Sequence, residues 1–374
     1  MKKVFIVYQN FLDKQGNQLT IGGIQTYIHQ LIDVIKNRNE IPVVVQFADC
    51  EFQKKYKEIE VFGVDVSKIK NGWLRRKKLI RFVESQYSQG DLVIFATDHL
   101  FIESSIKNVI GIQHGIGWDI PKSDRVSETF FFLDYLRKSM YAYRSLRRIK
   151  NLENMVCVDY NYLNWYRTQL SKVNKKMVVI PNASKVKALP LPMKEQDELK
   201  IIFARRFVPH RGTRLFAEGI KTLLDTYQHV SVTFAGEGPD EPFLKSYFQT
   251  SEAINFIRYQ SEACLEIHEK YDISVIPTLG SEGTSLSLLE AMASGCAVVT
   301  TNVGGLTNIV LDQYNGLIVN PDVKSLTAAI ERLIVDSNLR NELAANGYQT
   351  VLRGFNQTGW EKKWNAVLDE VSAN

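Results

Sequence analysis

The stretch PTLGSEGTSLSLLEAMASGCA, residues 277–297, is the part of the chain that most clearly indicates its fold. An apolar strand from Ile273 ends at Pro277, and a helix starts near Ser285 and runs to Gly295. The loop between them consists of small residues, which let a backbone approach a ligand closely. The helix N-terminus presents unpaired N–H groups and a partial positive charge. This strand, loop and helix therefore predict a phosphate-binding site.

Two carboxylates accompany that predicted site. Glu282 lies in the loop before the helix, and Glu290 lies inside the helix. The loop carboxylate can accept hydrogen bonds from sugar hydroxyls, and the helical one can accept them from ribose hydroxyls. The alternative is a solvated glutamate on a helix with an unrelated acid near its N-terminus. The spacing alone leaves both interpretations open.

Strands and helices alternate on both sides of a composition change in the middle of the chain. Short continuous apolar strands separated by helices indicate parallel sheets that are covered on both faces. We predict an α/β fold with two Rossmann-like domains facing each other across a cleft. The segment 184–198 carries two prolines and a run of charges, so we place a linker there. The predicted divisions are an N-terminal acceptor-side domain, the linker, a C-terminal donor domain and a helix that crosses back to the first domain: 1–183, 184–198, 199–355 and 356–374.

The bulk composition is that of an ordinary soluble protein. A chain of 374 residues is too long for one ordinary core, which favours two domains. The excess of 46 basic over 41 acidic residues is mild and does not predict a nucleic-acid binder. The four cysteines form no C-x-x-C pair, which favours reduced thiols in a cytosolic protein over a zinc site or disulfides. No stretch approaches the roughly 18 apolar residues of a membrane span.

Other candidate groups follow predicted strands. The basic loop Arg205-Arg206-Phe207-Val208-Pro209-His210-Arg211-Gly212 suits a diphosphate, because guanidinium groups bind phosphate oxygens in pairs. A solvated basic loop is the alternative. The turn Gly236-Glu237-Gly238-Pro239 lacks the third glycine of a dinucleotide fingerprint, which argues against a dehydrogenase. In the first half the candidates lie before a helix or at strand ends, and each has a structural alternative: Gly22-Gly23, His114, Asp98 and His99.

Taken in order, these motifs resemble the retaining GT-B glycosyltransferases of family 4, the glycosyl transferases group 1. The family's E-x7-E pattern stands here as Glu282-GTSLSLL-Glu290, and its G-R-L-x-x-x-K-G loop corresponds to residues 205–212. The resemblance continues in Val179-Ile180-Pro181-Asn182, Gly236-Glu237-Gly238-Pro239, Thr301-Asn302-Val303-Gly304-Gly305 and Asn315-Gly316-Leu317-Ile318-Val319. It covers nearly the whole chain and is strongest over about 178–321. Each motif alone is weak, whereas all of them in order are specific.

The resemblance implies a role for each matched residue. Arg206 and Arg211 are expected to hold the donor diphosphate, Glu282 to bind the transferred sugar, and His114 to act from the N-terminal side. The residues implied in donor binding are Gly23, Gly236, Tyr259, Gly283, Thr284, Ser285, Leu286 and Glu290. Within that set, Glu290 is expected at the ribose and Tyr259 at the nucleobase.

Three departures from the family pattern put the identity of the donor sugar in doubt. Arg211 replaces a lysine, which keeps the charge but changes the geometry. Arg205 replaces a glycine and is expected to add bulk near the diphosphate. The usual E-G-F-G is Glu282-Gly283-Thr284-Ser285, with Thr and Ser in place of an aromatic residue and a glycine.

The resemblance also implies a mechanism and partners. We expect transfer of a sugar from a nucleotide-diphosphate sugar to a glycan or lipid-linked acceptor in bacterial surface polysaccharide synthesis. The donor that we predict is a UDP-sugar. GT-B enzymes need no essential metal, the chain has no D-x-D motif, and no cofactor is expected. Basic, partly apolar segments at 71–78 and 137–150 suit an anionic membrane surface, although ordinary solvated helices explain them equally well. We expect a cytoplasmic protein, with weak contact at the inner face of the plasma membrane as a hypothesis.

Two other functions remain open at this point. One is a GT-B nucleotide-sugar epimerase, which would consume donor without an acceptor. The other is a non-catalytic protein that binds a nucleotide sugar or a glycan. A nucleic-acid partner is not expected, because the basic residues form no recognised reading motif.

Overall fold

The computed structural model describes residues 1–20, 22–120, 131–170, 176–187, 198–259 and 263–373. The chain divides into two compact units. The first contains residues 1–114, 134–180 and 361–374, and the second contains 115–133 and 181–360. Most of the predicted linker, residues 188–197, lies outside the described residues.

The first unit is built on a sheet of eight strands. Their order across the sheet is β3-β4-β2-β1-β5-β6-β7-β8, and all neighbours are parallel except the antiparallel pair β3 and β4. The strands are β1 Lys3–Tyr8, β2 Ile41–Ala48, β3 Phe52–Tyr56, β4 Ile59–Asp65, β5 Leu92–Phe95, β6 Val109–Gln113, β7 Asn154–Cys157 and β8 Lys176–Val179. The strands predicted near 4–8, 42–47, 92–96 and 109–113 are confirmed. The hairpin of β3 and β4 was not predicted.

Helices cover this sheet through periodic apolar faces. They are α1 Gly23–Asn37, α2 Gly72–Gln86, α3 Phe131–Arg148, α4 Tyr160–Gln169 and α11 Gln357–Ser372. On α1 the side chains of Tyr27, Ile28, Leu31 and Ile35 are buried, as their spacing predicts. The C-terminal α11 buries Trp364, whose indole N–H donates to the Tyr27 hydroxyl at 2.9 Å. This bond fixes the last helix of the chain to the first one within the unit.

The second unit is built on a parallel sheet of six strands in the order β11-β10-β9-β12-β13-β14. The strands are β9 Leu199–Ala204, β10 Val230–Ala235, β11 Ile254–Ile257, β12 Ile273–Ile276, β13 Ala297–Thr301 and β14 Leu317–Val319. Counted along the unit, this is the order 3-2-1-4-5-6 of a Rossmann sheet. Both sheets are therefore Rossmann-like, and the predicted α/β fold with two such domains is confirmed.

Two apolar clusters pack on opposite sides of the second sheet. The helices that supply them are α5 Thr213–Thr226, α6 Glu241–Tyr247, α7 Cys264–His268, α8 Leu286–Ala293, α9 Val323–Val335 and α10 Ser337–Gly354. One cluster joins α5 and α9 to alternate residues of the strands, such as Ile201 and Phe203. The other joins α8 to the intervening residues, such as Ile202 and Ala204. Because both faces are covered, the carboxyl edge of the sheet is where its polar loops converge.

Candidate active site

The candidate site lies where the strand order of the second sheet reverses. Connections from β9 run one way to β10 and β11, whereas β12, β13 and β14 extend the other way. The loops after β9 and β12 therefore leave the sheet in opposite directions and open a crevice between them. Open α/β sheets bind ligands at this point, outside the carboxyl ends of the strands. Arg205 follows β9 directly, and Thr278 and Glu282 follow β12.

The buried carboxylate of Glu282 is the centre of this crevice. Its Oε2 accepts hydrogen bonds from the Thr278 hydroxyl at 2.9 Å, from Arg205 Nη2 at 2.5 Å and from Arg211 Nη1. Arg205 also donates to the Thr278 hydroxyl. Among the described residues, Oε1 of Glu282 accepts no hydrogen bond. One carboxylate oxygen is thus fixed by the protein, and the other is available to a ligand hydroxyl.

The charge of Glu282 is set by two opposing effects. Burial disfavours the carboxylate, but the charges of Arg205 and Arg211 outweigh burial and lower the pKa of Glu282 below its ordinary value. Burial also lowers the pKa of Arg205, and the charge of Glu282 opposes that change. Glu282 is therefore an anion at neutral pH, held in place by two cations.

Arg205 and Arg206 differ in their surroundings. Arg206, the residue expected at the diphosphate, is exposed and has no hydrogen bond or ion pair among the described residues. Arg205 was expected in the diphosphate loop as a bulky replacement for a glycine, yet its side chain is 5% exposed and is paired with Glu282. Arg211 is 26% exposed and pairs with the same carboxylate. The structure thus brings Arg205 and Arg211, rather than Arg206, to Glu282.

The main chain around Glu282 is held by close backbone contact. The Gly305 N–H donates to the Glu282 carbonyl at 2.9 Å. At Gly304, where φ is 54°, a Cβ atom would lie 2.2 Å from that same carbonyl oxygen. A glycine is needed here because any side chain would push the two loops apart. The Gly304-Gly305 segment therefore lies directly against the main chain of Glu282.

Helix α8 begins at the end of the same loop. Ser285 is its N-cap, and its side chain accepts from the Leu288 N–H at 3.4 Å. Thr284, Ser285 and Gly283 are buried, while Leu286, the first residue of the helix, is partly exposed. The Asn182 side-chain amide donates to the Thr284 carbonyl at 2.5 Å. The start of α8 thus stands beside Glu282, as a phosphate site at a helix N-terminus requires.

Glu290 lies farther along α8 in a different electrostatic setting. Burial raises its pKa to about 7, and a hydrogen bond with the Cys264 thiol opposes this rise only in part. Burial also raises the pKa of the Tyr259 phenol, and the charge of Glu290 adds to that effect. Arg205 lowers the same phenol pKa. Glu290 and Tyr259 are therefore close to each other and to the Arg205 end of the site. Gly236 belongs to the neighbouring turn after β10, and its N–H donates to the Ile257 carbonyl at 2.9 Å.

Within the first unit, His114 is a polar group at the carboxyl edge of the sheet. His114 Nε2 lies 2.8 Å from the Ala96 carbonyl oxygen, which can only accept, so Nε2 carries the hydrogen. Burial lowers the pKa of His114 to about 4, so the ring is neutral at pH 7 and its Nδ1 is an acceptor. The ring packs edge-to-face on Tyr27, one turn into the helix that begins at Gly23, with ring centroids 5.1 Å apart.

Asp98 and His99, the lower-ranked candidates, occupy the neighbouring turn in this unit. Burial raises the pKa of Asp98 to about 6, and Arg148 partly opposes the rise. Burial lowers the pKa of His99 to about 4, assisted by Arg148 and Arg76. The His99 carbonyl accepts from Arg76 Nη1 at 3.0 Å. Two basic side chains from helices, Arg76 and Arg148, therefore lie near this turn at a strand end.

Three polar residues of the site were not assigned from the sequence. Thr278 lies one residue after the predicted strand. A polar side chain at the carboxyl end of a strand could have indicated a site residue. Asn182 stands in the quoted segment before the linker, but nothing in the sequence connects it to Thr284. Asp119 follows the His114 segment, and its side chain accepts from the Ser281 N–H at 2.8 Å. Residues far apart in the sequence meet here, which spacing cannot indicate.

The described residues contain neither a metal-binding cluster nor a membrane-spanning helix. No group of three or more His, Cys, Asp or Glu side chains in those ranges is arranged to hold a metal ion. Within the same ranges, no helix has both the length and the apolar character needed to cross a membrane.

The comparisons with known proteins concern both the sequence and the fold. Residues 192–350 match the family model Glycosyl transferases group 1, so this part of the chain carries that domain. The chain is 30% identical over 175 residues to the N,N'-diacetylbacillosaminyl-diphospho-undecaprenol alpha-1,3-N-acetylgalactosaminyltransferase of Campylobacter jejuni. That match spans 46% of this chain and 45% of the relative, so the chain covers less than half of the relative's length.

Two further similarities extend over nearly the whole chain. An uncharacterized glycosyltransferase of Methanocaldococcus jannaschii is 24% identical over 357 residues, covering 91% of this chain and 92% of the relative. The structure of a Staphylococcus aureus TarM mutant with fondaparinux, alpha-GlcNAc-glycerol and UDP is similar with a TM-score of 0.74 and 13% identity. That similarity covers 98% of this chain and 100% of the TarM chain. At this identity the likeness concerns the fold, which is of the predicted GT-B class.

Proposed function

We propose that this chain is a retaining glycosyltransferase that moves a sugar from a UDP-sugar to a glycan or lipid-linked acceptor. The observation that carries the proposal is the anionic Glu282, fixed by Arg205 and Arg211 at the strand-order reversal of a glycosyl transferases group 1 domain. A buried carboxylate with one free oxygen suits a sugar hydroxyl. The two cations and the start of α8 suit the diphosphate next to that sugar.

The proposed step makes one bond and breaks another at the anomeric carbon. The acceptor hydroxyl oxygen bonds to that carbon, and the bond to the diphosphate oxygen breaks with its electron pair staying on the diphosphate. The acceptor proton passes to the departing diphosphate on the same face, so the configuration is retained. Arg211 and the N–H groups of the first turn of α8 offset the charge that develops on the leaving group. Arg206 stays a candidate for the same diphosphate.

The two glutamates have different parts in this proposal. Glu282 Oε1 accepts from hydroxyls of the transferred sugar, and Glu290 accepts from the ribose, with Tyr259 beside the nucleobase. A glycosidase pair would place both carboxylates on one bond about 5 Å apart. Glu282 is instead paired with two arginines, and Glu290 lies one turn into α8. The pair therefore supports positioning of a donor rather than hydrolysis.

The first unit carries groups that suit an acceptor. The neutral His114 ring has an acceptor nitrogen for a sugar or acceptor hydroxyl, and Gly23 opens the helix that carries its ring partner Tyr27. The name of the Campylobacter relative gives it a diphospho-undecaprenol-linked substrate, and TarM was solved with UDP. The former favours a lipid-linked acceptor, and the latter favours a UDP-sugar donor. We infer from the sequence resemblance that the reaction belongs to bacterial surface polysaccharide synthesis in the cytoplasm.

Helix α3 supports contact with an anionic membrane surface. It carries seven exposed large apolar or aromatic side chains, each 46% to 64% exposed: Phe132, Leu133, Tyr135, Leu136, Met140, Tyr141 and Tyr143. At 100° per residue, Phe132, Leu136, Met140 and Tyr143 share one face of the helix, flanked by Arg144. An apolar face bordered by cations is typical of a helix that lies in a membrane interface.

Flotation with vesicles tests the membrane part of the proposal. The wild-type chain is expected to float with phosphatidylglycerol vesicles and to remain behind with phosphatidylcholine vesicles. The double variant Leu136→Asp/Met140→Asp is expected to lose flotation without a change in melting temperature, because both side chains are exposed. Flotation that does not depend on anionic lipid, or that survives the double variant, would count against the membrane contact.

The central experiment is a thermal-shift panel with uridine, guanosine and adenosine diphosphate sugars, followed by turnover. A UDP-sugar is expected to raise the melting temperature selectively, because a ligand that binds only the folded state stabilises it. Glu282→Gln, which keeps the shape but removes the charge, is expected to abolish transfer. Glu218→Gln is the matched control, because Glu218 lies on the exposed face of α5 and makes no hydrogen bond or ion pair with any other described residue. Unchanged transfer by Glu282→Gln would refute the site.

The panel also separates the two rival functions. A nucleotide-sugar epimerase would isomerise the donor with no acceptor present, which nuclear magnetic resonance of the sugar detects. A non-catalytic binding protein would show the thermal shift but neither transfer nor isomerisation. The intact set of Glu282, Arg205 and Arg211 favours the transferase over a silent binder.

A further inference from the structure

The residue directly before Glu282 has an unusual backbone conformation. Ser281 has φ of 57°, in the left-handed region that L-residues with a side chain seldom occupy. Such a conformation persists where the surrounding structure imposes it, and it often accompanies a functional site. The direction in which the next residue leaves the turn depends on this angle. Glu282 is that next residue, so the left-handed turn sets the direction of its side chain.

Two hydrogen bonds hold the Ser281 peptide groups. The Ser281 N–H donates to Asp119 Oδ1 at 2.8 Å. The Ser281 carbonyl accepts from Arg211 Nη1 at 3.3 Å, and the same Nη1 also contacts the Glu282 carboxylate. Asp119 and Arg211 therefore bind the N–H and the carbonyl of Ser281, respectively. Asp119 accepts from the main chain of the turn, whereas Arg211 contacts both that main chain and the Glu282 carboxylate.

The segment that carries Asp119 lies directly against this loop. At Gly115, where φ is 99°, a Cβ atom would lie 2.8 Å from the Gly283 nitrogen. At Gly280 a Cβ atom would lie 2.9 Å from the Ile120 Cα. Residues 115–120 belong to the same unit as this loop, although residues 1–114 and 134–180 belong to the other unit. The two backbones are thus in contact on both sides of the Asp119–Ser281 hydrogen bond.

We propose that Asp119 is a positioning residue for Glu282. By accepting the Ser281 N–H, it holds the left-handed turn that aims the Glu282 carboxylate at Arg205 and Arg211. This inference rests on the proposed function, because it assigns Asp119 to the binding of the donor sugar. Without the acceptor, Ser281 is free to return to negative φ, and Glu282 then loses its alignment.

A set of variants at the two positions tests the inference through donor binding. Asp119→Ala removes the acceptor and is expected to weaken UDP-sugar binding by about tenfold or more, measured by calorimetry. Asp119→Asn keeps an acceptor oxygen at the same place and is expected to retain most of the affinity. Ser281→Gly is expected to bind as the wild type does, because glycine adopts positive φ without a steric cost.

The double variant distinguishes positioning from a general loss of structure. In Asp119→Ala/Ser281→Gly the turn no longer needs the aspartate, so affinity is expected to recover in large part. Ser281→Val, in which a β-branched side chain disfavours positive φ, is expected to weaken binding as Asp119→Ala does. This variant keeps the test decisive if Asp119→Ala does not fold. Melting temperatures of every variant report the fold independently.

The outcomes separate this inference from the proposed function. If the wild-type chain binds no UDP-sugar or other nucleotide sugar of the panel, the proposed function fails and the inference fails with it. If the wild type binds and Asp119→Ala and Ser281→Val bind equally well, only the inference fails. Loss of binding in Asp119→Ala that Ser281→Gly does not restore would also overturn it.

Discussion

Replacing Glu290 with glutamine should stabilise the protein at high pH and weaken its donor binding. Glu290 sits on α8 with a pKa raised from 4.5 to about 7 by burial. In the unfolded chain the carboxyl ionises near pH 4.5, whereas in the folded chain it stays neutral up to about pH 7. Folding therefore becomes less favourable as the pH rises from 4.5 to 7, and the cost stays constant above that. Glutamine has no proton to lose, so the variant lacks this cost.

The size of the effect follows from the two pKa values. A change from 4.5 to about 7 corresponds to about 3 kcal/mol as an upper value. Because the Glu290 side chain is partly exposed, solvent screening reduces this to about 1–2 kcal/mol. For a domain of 150–250 residues, each kcal/mol shifts the melting temperature by about 2–4 °C. The variant should therefore melt about 2–8 °C above the wild type at pH 8 and at the same temperature near pH 4.5.

Thermal melts of Glu290→Gln and wild type between pH 4.5 and 8.5 measure this difference. Glu218→Gln is the matched control, because it makes the same substitution at an exposed position of α5. Calorimetry with the donor at pH 8 should show weaker binding by Glu290→Gln, because a hydrogen bond to a charged group contributes about 1.5–3 kcal/mol. A difference in melting temperature that is constant across the pH range would refute the reasoning, as would unchanged donor affinity.

Three other predictions concern the site and the fold. Arg205→Ala should lower the free energy of unfolding by about 3–5 kcal/mol in urea titrations, because it leaves the buried Glu282 with one cation fewer; a loss below 1 kcal/mol would contradict the buried pair. Trp364→Ala should cost about 3–5 kcal/mol in the same titration through lost burial on α11, whereas the exposed Trp73→Ala should cost little. Transfer should continue in EDTA, since the proposed leaving-group stabilisation uses arginines and a helix N-terminus; activity that returns only on adding Mg²⁺ or Mn²⁺ would argue for a metal.

The sheets could be predicted from the sequence because their strands are short apolar runs between helices. Leu199–Ala204, Val230–Ala235 and Ile254–Ile257 begin and end where the pattern of residues places them. The hairpin of Phe52–Tyr56 and Ile59–Asp65 was missed for the opposite reason. Its edge strand FQKKY is polar, and charged edge strands lack the apolar pattern that marks a buried strand.

The partner of each arginine could not be predicted from the sequence. Three guanidinium groups stand within seven residues, and all have the same charge and reach. Which of these arginines is buried depends on the direction in which the chain leaves β9. It also depends on whether a carboxylate lies within reach in that direction. Arg205 meets Glu282, which is 77 residues away in the chain. Asp119 and Ser281 are 162 residues apart. Such contacts are made by the tertiary fold, so the local pattern of a single sequence does not predict them.

The two glutamates of the E-x7-E motif differ in how their charge responds to pH. Glu282 is kept anionic by Arg205 and Arg211, so its charge does not change near neutral pH. In the part of the chain that the structure describes, no cation is bonded to Glu290, and this carboxyl changes its charge near pH 7. A ribose that donates hydrogen bonds to Glu290 favours the carboxylate, so donor binding should release a proton below pH 7. The pH dependence of donor affinity should accordingly report the ribose end of the site, and Glu290→Gln should remove it while Glu282→Gln leaves it in place.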